Sequence, residues 1–228
     1  MKTFGHAVAF IIALAMFAPS SAHAGWITFS HLRMTLYERQ SGSWVEQATS
    51  GHTPSGGLVN GQNYHIEDTQ GMHTGDFKWF SSGSDREFNI GWATPDTGNH
   101  RMVVDVKGSF SSSSPKPYLT WELDNAGISS VDPTLDMTIG NAHIFDRQSI
   151  DSSGLYKGWA QQYQGREFNL TFVIEGGMNG GQINMKFNRS ETQPGSEYGE
   201  GFDAGAPVPG PGVVVALVGL CGVRTRRR

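Results

Sequence analysis

Phe168-Asn169-Leu170-Thr171-Phe172-Val173-Ile174 places an apolar residue at every second position, with Asn169 and Thr171 between them. Successive side chains of a strand point to opposite faces, so this spacing predicts one buried and one wet face. Beyond the glycines of 176–181, Ile183, Met185 and Phe187 repeat the pattern, and the pair reads as a hairpin. Further upstream, Phe88, Ile90 and Trp92 share a face opposite Glu87 and Asn89. Met102, Val104 and Val106 follow after the turn-rich Thr94–Asn99, a second expected hairpin. Leu119, Trp121 and Leu123 alternate with Thr120 and Glu122. Met34 and Leu36 open the series, and Ser41-Gly42 marks a turn into Ser43–Ala48. No long run has helical period. With 30 glycines and turns at short spacing, the chain is expected to be all-β: an antiparallel β-sandwich, jelly-roll-like in size.

The strand pattern is written twice. Asn63, His65, Ile66, Asp68 and Gln70 recur in the same order as Asn141, His143, Ile144, Asp146 and Gln148. Trp79 and Arg86-Glu87-Phe88-Asn89 recur as Trp159 and Arg166-Glu167-Phe168-Asn169. These blocks predict a duplication with halves near residues 26–110 and 111–190, joined by the Ser/Pro-rich Ser111–Pro117. Either each half forms a small sandwich or the two interleave in one larger sandwich. A half of about 80 residues buries proportionally little surface, which favours interleaving.

The ends are of another kind. Lys2, the apolar stretch Ala7–Ala18 and Ala22-His23-Ala24 have the layout of a secretory signal peptide over residues 1–24, with cleavage after Ala24 leaving Gly25 first. At the other end, Val208-Pro209-Gly210-Pro211-Gly212 precedes Val213-Val214-Val215-Ala216-Leu217-Val218-Gly219-Leu220-Cys221-Gly222-Val223, and then Arg224, Arg226, Arg227 and Arg228. The apolar run is 11 residues, about 16 Å as helix against a hydrocarbon core of roughly 30 Å. It suits transient holding in a membrane better than permanent spanning, and the arginines belong on the cytoplasmic side. The layout of 208–228 resembles the PEP-CTERM sorting tail, with Pro209-Gly210-Pro211 where that family has Pro-Glu-Pro. The resemblance implies a bacterial protein carried out by the export machinery and cut near the motif by an exosortase-like enzyme. It implies delivery to the cell surface or extracellular matrix, after transient inner-membrane anchoring by the C-terminus. Residues 191–207, rich in Gly, Pro, Glu and Ser, read as an acidic flexible stalk between sandwich and tail.

Between the two signals, residues 25–207 hold 12 basic and 21 acidic side chains, a net charge of −9. Such a body disfavours nucleic acid and anionic lipid as partners, because phosphate contacts need basic surface. The single cysteine, Cys221, lies in the tail, so the body has no disulfide. No cofactor motif, Gly-x-Ser-x-Gly elbow, His-Glu-x-x-His or phosphate loop is present. His65 with Asp68, and His143 with Asp146, stand three apart, which on a strand points the two side chains to opposite faces; no metal site is expected. Trp26, Trp44, Trp79, Trp121 and Trp159 are candidate stacking platforms for sugars, with Trp44, in its hairpin, the best placed. The expected role is non-enzymatic, structural or adhesive, with matrix polysaccharide as a possible partner. The alternative is a carbohydrate-binding module or a two-carboxylate carbohydrate-active enzyme on the sandwich.

Overall fold

A computed structural model describes residues 25–82, 85–95, 98–126, 133–151, 155–175 and 180–205. The signal-peptide residues Ala22 and Ala24 lie outside these, as does everything from 206 on: the processing motif, the apolar run and the arginines.

Among the described residues the chain forms thirteen strands and one short 3-10 turn. The strands are β1 Ile27–Gln40, β2 Ser43–His52, β3 Asn63–Glu67, β4 Thr74–Ser82, β5 Asp85–Ala93, β6 His100–Phe110 and β7 Tyr118–Ala126. They continue with β8 Thr134–Ile139, β9 Ala142–Ser149, β10 Leu155–Gln161, β11 Glu167–Glu175, β12 Gly181–Ser190 and β13 Gly201–Asp203. They build two sheets, ordered β2-β1-β6-β11-β8-β9 and β13-β10-β7-β12-β5-β4-β3. All pairings are antiparallel except β10 with β13. The expected antiparallel β-sandwich is what the chain forms. Each sheet draws strands from both sides of residue 110: β6 pairs β11 in one, and β5 pairs β12 in the other.

The alternation explains the core. Phe168, Leu170, Phe172 and Ile174 are buried, as are Phe88, Ile90, Trp92, Met102, Val104, Val106, Leu119, Trp121, Leu123, Ile183, Met185 and Phe187. Phenylalanines from the two sheets meet in the middle. Phe29 contacts Phe88 edge-on at 5.9 Å between ring centres, and Phe88 contacts Phe172 at 6.1 Å. Phe168 reaches Phe187 at 5.8 Å. Such tilted and edge-on contacts each contribute about 0.5–1.5 kcal/mol beyond their burial.

Several of these rings fit because a glycine stands across from them. Trp121 faces Gly158, and Trp159 faces Gly201. A β-carbon at position 158 would stand 2.1 Å from Trp121 Cζ2, and one at 201 would stand 2.1 Å from Trp159 Cζ2. Gly108, opposite Phe168 and Phe29, is confined by backbone as well as by a ring, with Thr28 O at 2.2 Å and Phe168 Cζ at 2.3 Å from that point.

Two expectations need correction. The pairs 88–92/102–106 and 168–174/183–187 are not hairpins: β5 and β6 lie in different sheets, and so do β11 and β12. A hairpin and a crossing from one sheet to the other bury the same alternate positions, so the pattern alone does not separate them. Nor are residues 191–205 the open stalk that was expected. Residues 191–205 pack on the sandwich, with Ser196–Tyr198 as the 3-10 turn and β13 added parallel to β10. Phe202 lies 6.0 Å from Trp121 between ring centres, and Ala204 is fully buried. One aromatic ring and a glycine shaped to Trp159 hold a segment whose composition is otherwise that of a linker.

The repeated blocks fall at partly corresponding places. β3 and β9 are both edge strands, β5 and β11 both sit third from those edges, and β6 and β12 both lie next to them. Trp79 and Trp159 do not correspond, since β4 lies between β3 and β5 whereas β10 pairs with β7 and β13.

Candidate functional site

The outer face of the seven-stranded sheet carries the side chains that the alternation turns away from the core. Register aligns them in rows. One row runs Lys78, Asn89, Asn184, Asp124, Leu155 across β4, β5, β12, β7 and β10. The next runs Glu87, Lys186, Glu122, Lys157. With strands about 4.8 Å apart, five strands make a row about 19 Å long. Glu87, Asn89, Glu122, Asp124, Leu155, Gln182, Asn184 and Lys186 line a groove of about 590 Å³ on this face.

The two rows differ in character. In the charged row Lys157 Nζ lies 3.1 Å from Glu122 Oε1, which also accepts from the Tyr198 hydroxyl at 3.1 Å. Lys186 Nζ reaches Asp85 Oδ2 at 2.7 Å, and that hydrogen bond raises the lysine pKa. Burial, and then the Glu122 carboxylate, raises the Tyr198 pKa. In the amide row Asn184 Oδ1 accepts from Asn89 Nδ2 and from Gln182 Nε2, the latter at 2.7 Å. Two donors on one oxygen set the orientation of the Asn184 carboxamide before any ligand arrives. The groove thus offers preoriented amides beside carboxylates, with the apolar Leu155, 56 % exposed, at one end. Groups of this kind exchange hydrogen bonds with hydroxyl-rich ligands.

Sequence reasoning did not single out these residues. Their signal was the polar half of the alternation, Glu87, Asn89 and Glu122, which was used only to orient strands. The tryptophans it did single out are mostly packing. Trp26, Trp121 and Trp159 are buried, and Trp79 is half-buried with Nε1 donating to Leu58 O at 2.9 Å. Trp44, half-buried on edge strand β2, carries the Arg101 guanidinium 4.2 Å over its ring. The histidine blocks lie apart from the groove. His65 Nδ1 lies 2.9 Å from Asp76 Oδ1, and Asp68 Oδ1 accepts from the backbone of Gln70 and Met72 in the turn after β3. His143 is exposed on edge strand β9. Among the described residues no three His, Cys, Asp or Glu side chains converge as a metal site. Nor is any helix there long and apolar enough to cross a membrane.

No family model matches the chain, and no curated protein matches it. A solved structure from work on the structural basis of the promiscuous specificity of carbohydrate-binding modules of the β-sandwich superfamily shows a slight likeness. It is 9 % identical, covers 73 % of this chain and 85 % of its own, and has a TM-score of 0.23. A likeness that slight bears on neither fold nor function.

Proposed function

We propose that this is an exported surface or matrix protein whose sandwich binds a neutral, hydroxyl-rich polymer along the outer face of the seven-stranded sheet, without chemical turnover. The observation that carries the reading is the row of preoriented amides and carboxylates from Asn89 to Asp124 lining the groove. A polysaccharide fits it because hydroxyl groups both donate and accept, as the amide row does. The role is adhesive: many weak contacts hold a polymer in place, and Glu122 is engaged by Lys157 and Tyr198. The export reading rests on the layout of residues 1–24 and 208–228, including the resemblance of the tail to PEP-CTERM signals.

A glycan array together with hydrolysis assays on residues 25–205 tests the proposal. Binding of neutral oligosaccharides that is lost in Asn184→Ala, with no products released, is the expected result. Release of shortened products would replace the adhesive reading with an enzymatic one. Failure to bind any glycan would end the groove assignment.

A further inference from the structure

Leu155 and Lys157 stand two apart on β10, so their side chains share a face. Lys157 is tied to Glu122 on the outer face of the seven-stranded sheet, and Leu155 therefore opens outward as well. The exposed large apolar side chains among the described residues are Val45, Val59, Met72 and Leu155. Of these, Leu155 alone lines the outer groove. A single exposed leucine is ordinary on a protein surface, and its neighbours decide what this one can do.

Register sets Asn184 of β12, Asp124 of β7 and Leu155 of β10 side by side. Each offers a different contact. Asn184 Oδ1 is already taken by the amides of Asn89 and Gln182, so the carboxamide presents its Nδ2 hydrogens. Asp124 is exposed and, as a carboxylate, only accepts. Leu155 brings methyl groups and no polar atom. The order is donor, acceptor, apolar, over two strand spacings or about 10 Å.

Among the described residues no aromatic ring lines the groove, so none there stacks on the flat face of a sugar. Selection falls to the substituents at the edge of the sugar ring. A hydroxyl group donates and accepts, but it has no use for Leu155. An acetamido group complements all three positions: its carbonyl oxygen accepts from Asn184, its N–H donates to Asp124, and its methyl meets Leu155.

We propose that the groove selects N-acetylated amino sugars within a neutral glycan, reading the acetamido group with Asn184, Asp124 and Leu155. This selection rests on the groove being the glycan site proposed above, and it names which glycans the site prefers. Charge keeps the class neutral. Glu87, Glu122 and Asp124 line the groove, and the lysine among them, Lys186, is held by Asp85 at 2.7 Å. An amino sugar that also carries a carboxylate is repelled there.

The test uses residues 25–205, which include every described strand, and measures binding of three pentamers by titration calorimetry at pH 7. Chitopentaose and cellopentaose share backbone and linkage and differ in carrying acetamido or hydroxyl groups; fully deacetylated chitopentaose carries amines instead. Chitopentaose should bind at least about 10-fold more tightly than cellopentaose, the effect of one well-placed methyl contact. Leu155→Ser, at a position 56 % exposed, should reduce that preference below about 3-fold and leave cellopentaose binding unchanged. Equal binding of chitopentaose and cellopentaose would overturn the selection while the glycan reading of the groove stands. Binding of none of the three would overturn both. Tighter binding of the deacetylated pentamer would also overturn the selection, since plain charge attraction would then explain it, and so would an unchanged preference in Leu155→Ser.

Discussion

Replacing Gly108 with alanine tests the packing argument where a backbone carbonyl and a ring close in together. The added β-carbon would stand 2.2 Å from Thr28 O, 2.3 Å from Phe168 Cζ and 2.6 Å from Phe168 Cε1. The carbonyl belongs to β1, beside the irregularity between Phe29 and His31, and cannot move without disturbing that strand's pairing with β6. Nor can the ring retreat easily. Phe168 is fully buried and lies 5.6 Å from Phe29, 5.1 Å from Phe110 and 5.8 Å from Phe187 between ring centres. Overpacking of a rigid site costs about 1–3 kcal/mol, and two blocked directions put Gly108→Ala near about 3. For a chain of this size that lowers Tm by about 6–12 °C. Gly51→Ala is the control, since a β-carbon there meets nothing within 4 Å. Its effect should stay within about 0.5 kcal/mol. Urea unfolding of residues 25–205 and of both variants measures the midpoints, with an unchanged slope confirming that only stability moved. A Gly108→Ala midpoint indistinguishable from the parent would refute the argument that these glycines are set by the rings opposite them.

Cutting the chain within Ser111–Pro117 should leave the two pieces associated on gel filtration, because β6 pairs β11 and β5 pairs β12; residues 25–110 expressed alone should fail to fold cooperatively. Ending the protein at Ser190 removes the contacts of Phe202 with Trp121 and of Tyr198 with Glu122, and should cost about 2 kcal/mol in thermal unfolding. The Asp76 hydrogen bond raises the His65 pKa above its ordinary 6.5, so its contribution is full below that pH and is lost as pH rises through the folded value. The pair is solvent-exposed and contributes less than about 1 kcal/mol, so NMR titration is the readout: Asp76→Asn should lower the His65 midpoint. Intact mass of the surface-bound protein should show loss of the sequence after 208–212; a mass still including Arg228 would make the tail a plain anchor.

How much of this was legible beforehand follows from what a period of two encodes. It encodes which residues point inward, and Phe88, Ile90, Leu170 and Met185 are buried as their spacing requires. It does not encode partners, so the crossings from β5 to β6 and from β11 to β12 read as hairpins. β13 escaped notice because Gly201-Phe202-Asp203 has one apolar residue and no alternation to display. Its signal is Gly201, intelligible only once Trp159 is known to lie across from it. The groove was hidden for the opposite reason. Asn89, Asn184 and Asp124 are far apart in sequence, and only strand register sets them in a row.

The parallel strand β13 also decides how this protein takes a pull. A chain held through residues beyond 205 passes its load first into Gly201–Asp203, which is joined to β10 over three residue pairs. The central strands are joined over far longer registers: β6 meets β11 over nine pairs and β1 over eleven. Under tension the short strand therefore yields first. Freeing residues 191–205 lengthens the tether by about 50 Å while both sheets stay closed. The segment is a mechanical fuse that can rejoin when tension falls, because Phe202 returns to the same place against Trp121. A pull on whatever holds that end would then be met with slack rather than with an unfolding domain.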